Sequence, residues 1–312
     1  MQIIDSINVP FDPKNSVVTV GTFDGIHIGH VEIINKLRII SEEQNLTSII
    51  VTFFPHPRTV VNKGNDIRLL TPLEEKKKLL SEMGIDYLYV INFTEEFSKK
   101  TYKEFFDEIL LNKVSARHLV IGYDHKFGKD RDGNINKLVA YTEENKMGIS
   151  IVGPKEIGNE TVSSTKIRNA LLNGELDAAN KMLGRSYSIH GKVVEGKKRG
   201  RTLGFPTANI EMSDKNKLLP KNGVYFVKVQ LTNKQYFGVT NIGLRPTFNN
   251  AVEPIAEVHI LDFDENIYGE RIDLKIISRI RDEKKFADKF ELEKQIKIDV
   301  SKVRDKIKEL TN

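Results

Sequence analysis

The spacing of apolar residues changes partway along this chain of 312 residues, and that change limits the fold more than any other feature. In the first half, short β-branched runs recur at Val17–Val20, Ser48–Phe53, Tyr87–Ile91, His118–Ile121 and Ile149–Val152, and each reads as a buried strand. Helical patterns lie between them, as in Ile33, Leu37 and Ile40. Thr71-Pro72-Leu73-Glu74 reads as a capping box, with Thr71 as the N-cap and proline at the first helical position. Strand and helix in alternation predict an α/β unit with a parallel sheet covered on both faces. After about Gly184 the period becomes two: Tyr225, Val227, Val229 and Leu231 alternate with Phe226, Lys228 and Gln230. Thr232-Asn233 and Gln235–Thr240 suggest a hairpin, Ile255–Leu261 and Ile272–Ile276 add strands, and Val300, Val303, Ile307 and Leu310 carry a closing helical pattern. The second half therefore predicts a small antiparallel β-barrel with C-terminal helices, and the domains are expected at 1–184 and 185–312.

Composition narrows the function classes. With 39% apolar and 29% charged residues the chain can bury a core. It has no cysteine, which excludes disulfides, thiolate metal sites and a cysteine nucleophile. Met1–Pro10 carries Asp5 and no apolar stretch of signal-peptide kind, and no run of about 18 apolar residues occurs. The expectation is a soluble, cytoplasmic protein with no membrane partner. The net charge of +5 fits either a phosphate-rich partner or a lysine-rich bias, since runs such as Glu74-Glu75-Lys76-Lys77-Lys78 mix both signs.

Candidate chemistry in the first half falls at strand ends. Gly21-Thr22-Phe23-Asp24-Gly25-Ile26-His27-Ile28-Gly29-His30 joins the Val17–Val20 strand to the next helix. Glycines there let backbone amides approach a ligand, and a helix N-terminus favours anions. His27 and His30 add donors for charge developing on a phosphoryl oxygen; as an isolated pair they also fit a structural or metal role, with His56 or His125 as a third ligand. Phe54-Pro55-His56-Pro57 forms a stiffened loop or a plain surface turn. Gly122-Tyr123-Asp124-His125-Lys126-Phe127-Gly128 offers a carboxylate and aromatics for a polar ring edge, or is a structural loop. Val162-Ser163-Ser164-Thr165-Lys166-Ile167-Arg168 reads as a helix start whose hydroxyls, amides and cations cradle an anion, or as an ordinary cap.

In the second half, Gly196-Lys197-Lys198-Arg199-Gly200-Arg201-Thr202-Leu203-Gly204-Phe205-Pro206-Thr207-Ala208-Asn209 interleaves glycine with cations. It suits a phosphate-binding flap, a basic surface loop or a nucleic-acid patch. Thr207 and Asn209 are oxygens on one side of an extended segment, and with nucleotide phosphates they could complete a magnesium shell. Glu257 is a carboxylate inside the apolar run Ile255–Phe263, and it fits a general base or a salt bridge on a solvated face.

The G-x-F-D-G-x-H-x-G-H, F-x-P-H-P and S-S-T-K-I-R set resembles the adenylyltransferase module of bacterial bifunctional riboflavin kinase/FAD synthetases, with its Rossmann-like nucleotidyltransferase sheet. The G-R-x-L-G-F-P-T-A-N flap, Leu219-Pro220 with Gly223-Val224-Tyr225, Asn241–Thr247 and E-V-H-I-L-D-F resemble the riboflavin kinase module. The resemblance runs in family order from residue 17 to 286. It implies that His27, His30 and Arg168 serve adenylyl transfer, and that Gly21, Phe23, His56, Asp124, Ser164 and Thr165 bind nucleotide or flavin. It further implies that Gly204, Thr207 and Asn209 bind ATP, with Thr207 and Asn209 holding Mg2+, that Glu257 is the base for the riboflavin 5′-hydroxyl, and that Arg281 in Arg281–Phe286 lies near the flavin ring. Riboflavin, FMN, FAD and ATP are the implied partners, nucleic acid is not, and oligomeric state has no readable signature. His125 departs from the phenylalanine usual in the family's D-F-x-F-G loop.

The rival readings are a nucleotidyltransferase for another phosphate, a member with one decayed site, and a nucleic-acid binder. The first leaves the second motif set idle, the second does not fit the key side chains that both sites retain, and the third predicts salt-sensitive oligonucleotide binding with no dependence on His27 or Glu257.

Overall fold

The computed structural model describes residues 1–5, 11, 13–61, 67–125, 135–196, 204–232, 234–246 and 252–311. Lys126–Gly128, Lys197–Leu203, Asn233 and Thr247 of the motifs above lie outside the described residues. Contacts divide the chain into two compact units, Met1–Ser164 and Thr165–Asn312.

The first unit alternates β1 (Gln2–Asp5), β2 (Ser16–Val20), α1 (Ile28–Gln44), β3 (Thr47–Phe54), α2 (Pro57–Val61), α3 (Leu73–Ser81), β4 (Tyr87–Asn92), α4 (Tyr102–Phe105, continuing as a π-helix to Lys113), β5 (Ala116–Gly122), α5 (Ile135–Glu144), β6 (Gly148–Val152) and the short pair β7 (Glu156–Ile157) and β8 (Glu160–Thr161). The large sheet has the order β1-β4-β3-β2-β5-β6 with parallel pairing throughout. Central strands buried on both faces explain the unbroken β-branched runs: Val17, Val18, Ile49, Ile50 and Val51 are all fully buried. One face packs Val18, Val51 and Leu119 against Phe105, Phe106 and Leu110; the other packs Val17, Ile50 and Val120 against Ile34, Leu37 and Leu80. The chain runs outward from β2 to β3 and β4, then crosses to β5 and β6 on the other side of β2. The crevice outside the carboxyl ends of β2 and β5 is thus the switch point, where such sheets bind ligands.

The capping box expected at Thr71–Glu74 does not form. The helix begins at Leu73 with Pro72 as N-cap and no side-chain cap. The Thr71 hydroxyl instead accepts the buried Gly25 N–H at 3.1 Å. A buried amide without an acceptor costs more than a helix end that water can reach, so the hydroxyl goes to the amide. A capping box forms at Thr101–Glu104, which starts α4.

The second unit opens with α6 (Ser164–Asn173, whose first residue closes the first unit) and α7 (Leu176–Leu183). Then follow β9 (Tyr187–Val194), β10 (Ala208–Met212), β11 (Gly223–Gln230), β12 (Gln235–Pro246), β13 (Val252–Ile260), β14 (Arg271–Arg281) and α8 (Lys289–Thr311). The strands close into an antiparallel barrel of order β10-β13-β12-β11-β14-β9. Tyr225, Val227, Val229, Val258, Leu274 and Ile276 are all fully buried. The alternate residue Phe226 is equally buried, because α8 lays Val300, Val303 and Ile307 over it and over Val239. The two N-terminal helices are tied to the barrel. Lys221 donates its amide to Leu171 O at 2.9 Å, Asn180 Nδ2 donates to Ile276 O at 3.2 Å, and Tyr187 N donates to Asn180 Oδ1 at 2.8 Å. These bonds group residues 165–184 with the barrel. Among the described residues, no helix is long and apolar enough to cross a membrane.

Candidate active sites

In the first unit, the segment from Gly21 to His30 leaves central strand β2 and enters α1 through a tight turn. Phe23 and Ile26 hold φ of 46° and 41°, a left-handed conformation costly for side chains of this size, and Gly25 between them has φ 94°. Such a turn persists only if its surroundings over-determine it. Asp24, 2% exposed, accepts the Leu70 and Thr71 amides at 3.2 and 2.8 Å. Gly21 N donates to Val51 O at 3.0 Å, and Lys76 Nζ donates to Thr22 O at 2.5 Å. Ser164 Oγ donates to the Asp24 carbonyl at 2.8 Å, so the last residue of the first unit is bonded to the same turn.

His27 is the N-cap of α1. Its Nδ1 accepts the His30 amide at 3.3 Å, which leaves Nε2 as the N–H donor of the neutral ring. The His30 ring stacks on it at 3.7 Å and 15°, and meets the Phe23 ring edge-on at 5.2 Å. The two imidazoles are therefore held by packing at a helix N-terminus, where partial positive charge and unpaired amides favour an anion. Gly29 makes room for this: a Cβ there would lie 3.2 Å from His27 Nδ1. Gly29→Ala is expected to leave the melting temperature near that of wild type, the helix preference of alanine offsetting a loosened His27 cap, while the adenylylation that the sequence resemblance implies for this turn falls about tenfold or more through displacement of the ring. Thermal unfolding beside FAD formation checks this.

The neighbouring strand ends bring the other predicted residues to this edge. Beyond β3, His56 Nδ1 accepts the Arg58 amide at 3.2 Å, again leaving Nε2 as donor. Beyond β5, His125 N donates to Gly122 O at 3.1 Å. A Cβ on Gly122 would meet Asp124 Oδ1 at 3.5 Å and Ile33 of α1 at 3.3 Å, so the Asp124 carboxylate folds back beside α1. Thr165 and Arg168 follow Ser164 in α6, within the second unit. The anchoring roles of Asp24, Thr71 and Lys76 were not read from the sequence. Lys76 sat inside the run that mixes both signs of charge, yet it is 5% exposed.

In the second unit, strand register builds the site. Asn209 of β10 pairs with Glu257 of β13, and Glu257 pairs on its other side with Asn241 of β12. Cross-strand partners share a face, so three polar side chains form one row. Ala256 and Val258 on either side of Glu257 are fully buried, which turns the Glu257 carboxylate to the outer face of the barrel. The Phe205–Asn209 segment is strapped to β13. His259, two residues along the same face, donates Nδ1–H to Pro206 O at 2.8 Å, and its ring meets Phe205 edge-on at 5.4 Å. Gly196 lies directly on the Asn209 amide, because a Cβ there would be 1.9 Å from Asn209 Nδ2. Gly204 has φ of 78°, with nothing within 4 Å of a would-be Cβ. Thr207 lines an open cavity of about 390 Å³ with Val193, Pro206, Val258, Phe263 and Tyr268.

The row continues across the barrel, since Asn241 pairs with Val224 and Val224 with Arg281. The Arg281 guanidinium is taken up by Asp299 of α8, with Nε 2.9 Å from Oδ2 and Nη2 2.8 Å from Oδ2. Glu283, in the same run, lies over Gly243: a Cβ there would be 2.6 Å from its Oε1 and 3.4 Å from Asn241 Nδ2. Asn241, His259 and Glu283 were not singled out from sequence. Their signal was the two-residue period of β12 and β13, which places Asn241 and His259 on the Glu257 face once the register is known. Among the described residues, no group of three or more His, Asp or Glu side chains could hold a metal ion.

Two families match the two units. The family described as FAD synthetase matches residues 10–166, and the family described as riboflavin kinase matches residues 183–307. A bifunctional riboflavin kinase/FMN adenylyltransferase of Listeria monocytogenes is 38% identical over 273 residues, covering 87% of this chain and 86% of that protein. The chain belongs to the bifunctional riboflavin kinase/FMN adenylyltransferase family. The Bacillus subtilis member is 38% identical over 92% of this chain and 91% of its own length. A crystal structure from Streptococcus pneumoniae, named as a macrolide-efflux protein, is similar with a TM-score of 0.86 and 32% identity, covering 97% of this chain and 98% of that one. As a member of the family the chain is an enzyme that is both a kinase and a nucleotidyltransferase, and both family halves use ATP.

Proposed function

We propose that this enzyme phosphorylates riboflavin to FMN on the outer face of the barrel and adenylylates FMN to FAD at the β2–α1 turn. The observation that carries the kinase half is the register of Asn209 against Glu257, which sets a metal-binding type of oxygen beside a carboxylate. The riboflavin 5′-hydroxyl attacks the γ-phosphorus of ATP, Glu257 takes its proton, and ADP leaves. The nucleotide base fits the cavity beside Thr207, whose size lies in the range of small-molecule sites.

In the adenylyltransferase half, an FMN phosphate oxygen attacks the α-phosphorus of ATP, the α–β bridging bond breaks, and pyrophosphate leaves. No enzyme nucleophile is needed. The residues align the reactants and oppose developing charge: His27 Nε2–H and His30 at the α1 N-terminus, Ser164, Thr165 and Arg168 on the triphosphate, Gly21 and Phe23 through their backbone, and His56 and Asp124 at the neighbouring strand ends.

Magnesium fits the residues present only as a phosphate-held ion. Thr207 and Asn209 supply neutral oxygens, and Mg2+ is bound by few protein ligands together with substrate phosphates. When bound it neutralises phosphate charge. Residues 1–184 serve adenylylation and 185–312 serve phosphorylation, in the cytoplasm. Product analysis tests the division of labour. With FMN supplied, the enzyme is expected to release pyrophosphate and no ADP; with riboflavin it releases ADP first, and a chelator of divalent cations stops both. ADP released from FMN would contradict it.

A further inference from the structure

Lys76 is a buried charge of the first unit that the reaction as written does not use. It stands in the first turn of α3 and is 5% exposed. Its Nζ donates to Thr22 O at 2.5 Å and lies 3.4 Å from Thr52 Oγ1, at the carboxyl ends of β2 and β3. Burying an ammonium without a directly bonded carboxylate is costly. An apolar side chain would fill the place without that cost, so the cation is kept for something other than packing.

Thr22 begins the strained turn that carries Phe23, Ile26 and His27. The ammonium fixes the carbonyl edge of the Thr22–Phe23 peptide. Because that peptide is planar and trans, the Phe23 N–H projects from the opposite edge, and a cation on the carbonyl makes it a stronger donor. We propose that Lys76 is a positioning residue for adenylyl transfer: it holds the Thr22 carbonyl, and through it the turn that presents amides and His27 to the ATP phosphates. The proposal rests on the placement of adenylylation at this turn.

The ionisation of the group supports it. Burial pushes the Lys76 ammonium down to about 8, against the upward pull of Asp24. Asp24 in the turn is the charged group that acts on it, β3 presents the neutral Thr52 hydroxyl, and Glu75 is its neighbour on α3. The protonated form is the stronger donor and alone carries the charge that polarises the peptide, so function is highest below about 8 and falls as pH rises through it.

The test compares wild type with Lys76→Met, using FMN and ATP for adenylylation and riboflavin for the kinase of the same protein. At neutral pH the variant is expected to lose about tenfold or more in kcat/KM for ATP in adenylylation, with kinase activity unchanged. Wild-type kcat/KM should also fall above about pH 8, up to about tenfold per unit, and the variant should lack that limb. A variant that adenylylates like wild type, or that keeps the same alkaline limb, overturns the proposal. Should Lys76→Met lose cooperative unfolding of the first unit, the wild-type profile decides, and a flat one across pH 7 to 9 overturns it. Wild-type protein that makes no FAD at any pH would instead remove the adenylylation reading itself.

Discussion

Glu257→Gln is expected to lower riboflavin phosphorylation by about a hundredfold to ten-thousandfold, while adenylylation of supplied FMN continues at the wild-type rate. The amide keeps the volume and the place in β13 but cannot take a proton. Folding should not suffer. The side chain points to the outer face, Ala256 and Val258 carry the packing, and the bond from Thr240 Oγ1 at 3.0 Å goes to the Glu257 backbone carbonyl. Chromatography of flavins after incubation with riboflavin and ATP, then with FMN and ATP, gives both rates from one preparation. Full kinase activity in the variant would remove Glu257 from the role of base and leave the row of Asn209 and Asn241 as a binding surface.

His30→Ala is expected to do the reverse, lowering FAD formation by about a hundredfold or more with riboflavin phosphorylation intact. The loss is larger than that of one donor. His30 is packed between Phe23 and His27, so removing its ring also frees the His27 imidazole from its stack. The amide of residue 30 still caps onto His27 Nδ1, so α1 should hold its N-terminus. Kinetics with FMN as acceptor check the prediction, and equal loss of both activities would show that the two chemistries share a site.

The fold was legible because both units follow their period closely. The five runs expected as strands became β2 to β6 with boundaries shifted by at most two residues, and β2 and β3, buried on both faces, are the most β-branched; β6 was expected to be buried but is an edge strand with Ile151 46% exposed. The barrel was legible from β11 onward, but β9 and β10 were not. In Tyr187–Val194 the buried Tyr187, Ile189 and Val193 do alternate with Ser188, His190 and Lys192, but Gly191 breaks the apolar series and hides the pattern; Ala208–Met212 is short and half-buried and shows no clear alternation. The single long helix α8 stands where C-terminal helices were expected.

The site was legible where a motif is contiguous and dim where it depends on pairing across the fold. Gly21–His30 could be read directly because glycine, histidine and a strand-to-helix junction are all local. Thr71 was misread because a capping box is a local pattern, whereas its actual partner is Gly25, 46 positions away. Lys76 was hidden by its neighbours: Glu74 and Lys77 make an exposed surface pair, and one turn of helix turns Lys76 inward beside Leu80. Helical spacing of Lys76 with Leu80 was the available signal. Arg281 was placed near the flavin by resemblance; its partner Asp299 lies on a helix whose docking no motif states.

The central claim is that one chain holds two chemistries in sequence. A chromatographic time course with purified protein, riboflavin, ATP and magnesium tests it most directly. FMN is expected to rise first and pass through a maximum as FAD accumulates. Riboflavin left unconverted, or FMN that accumulates without any FAD, would contradict it.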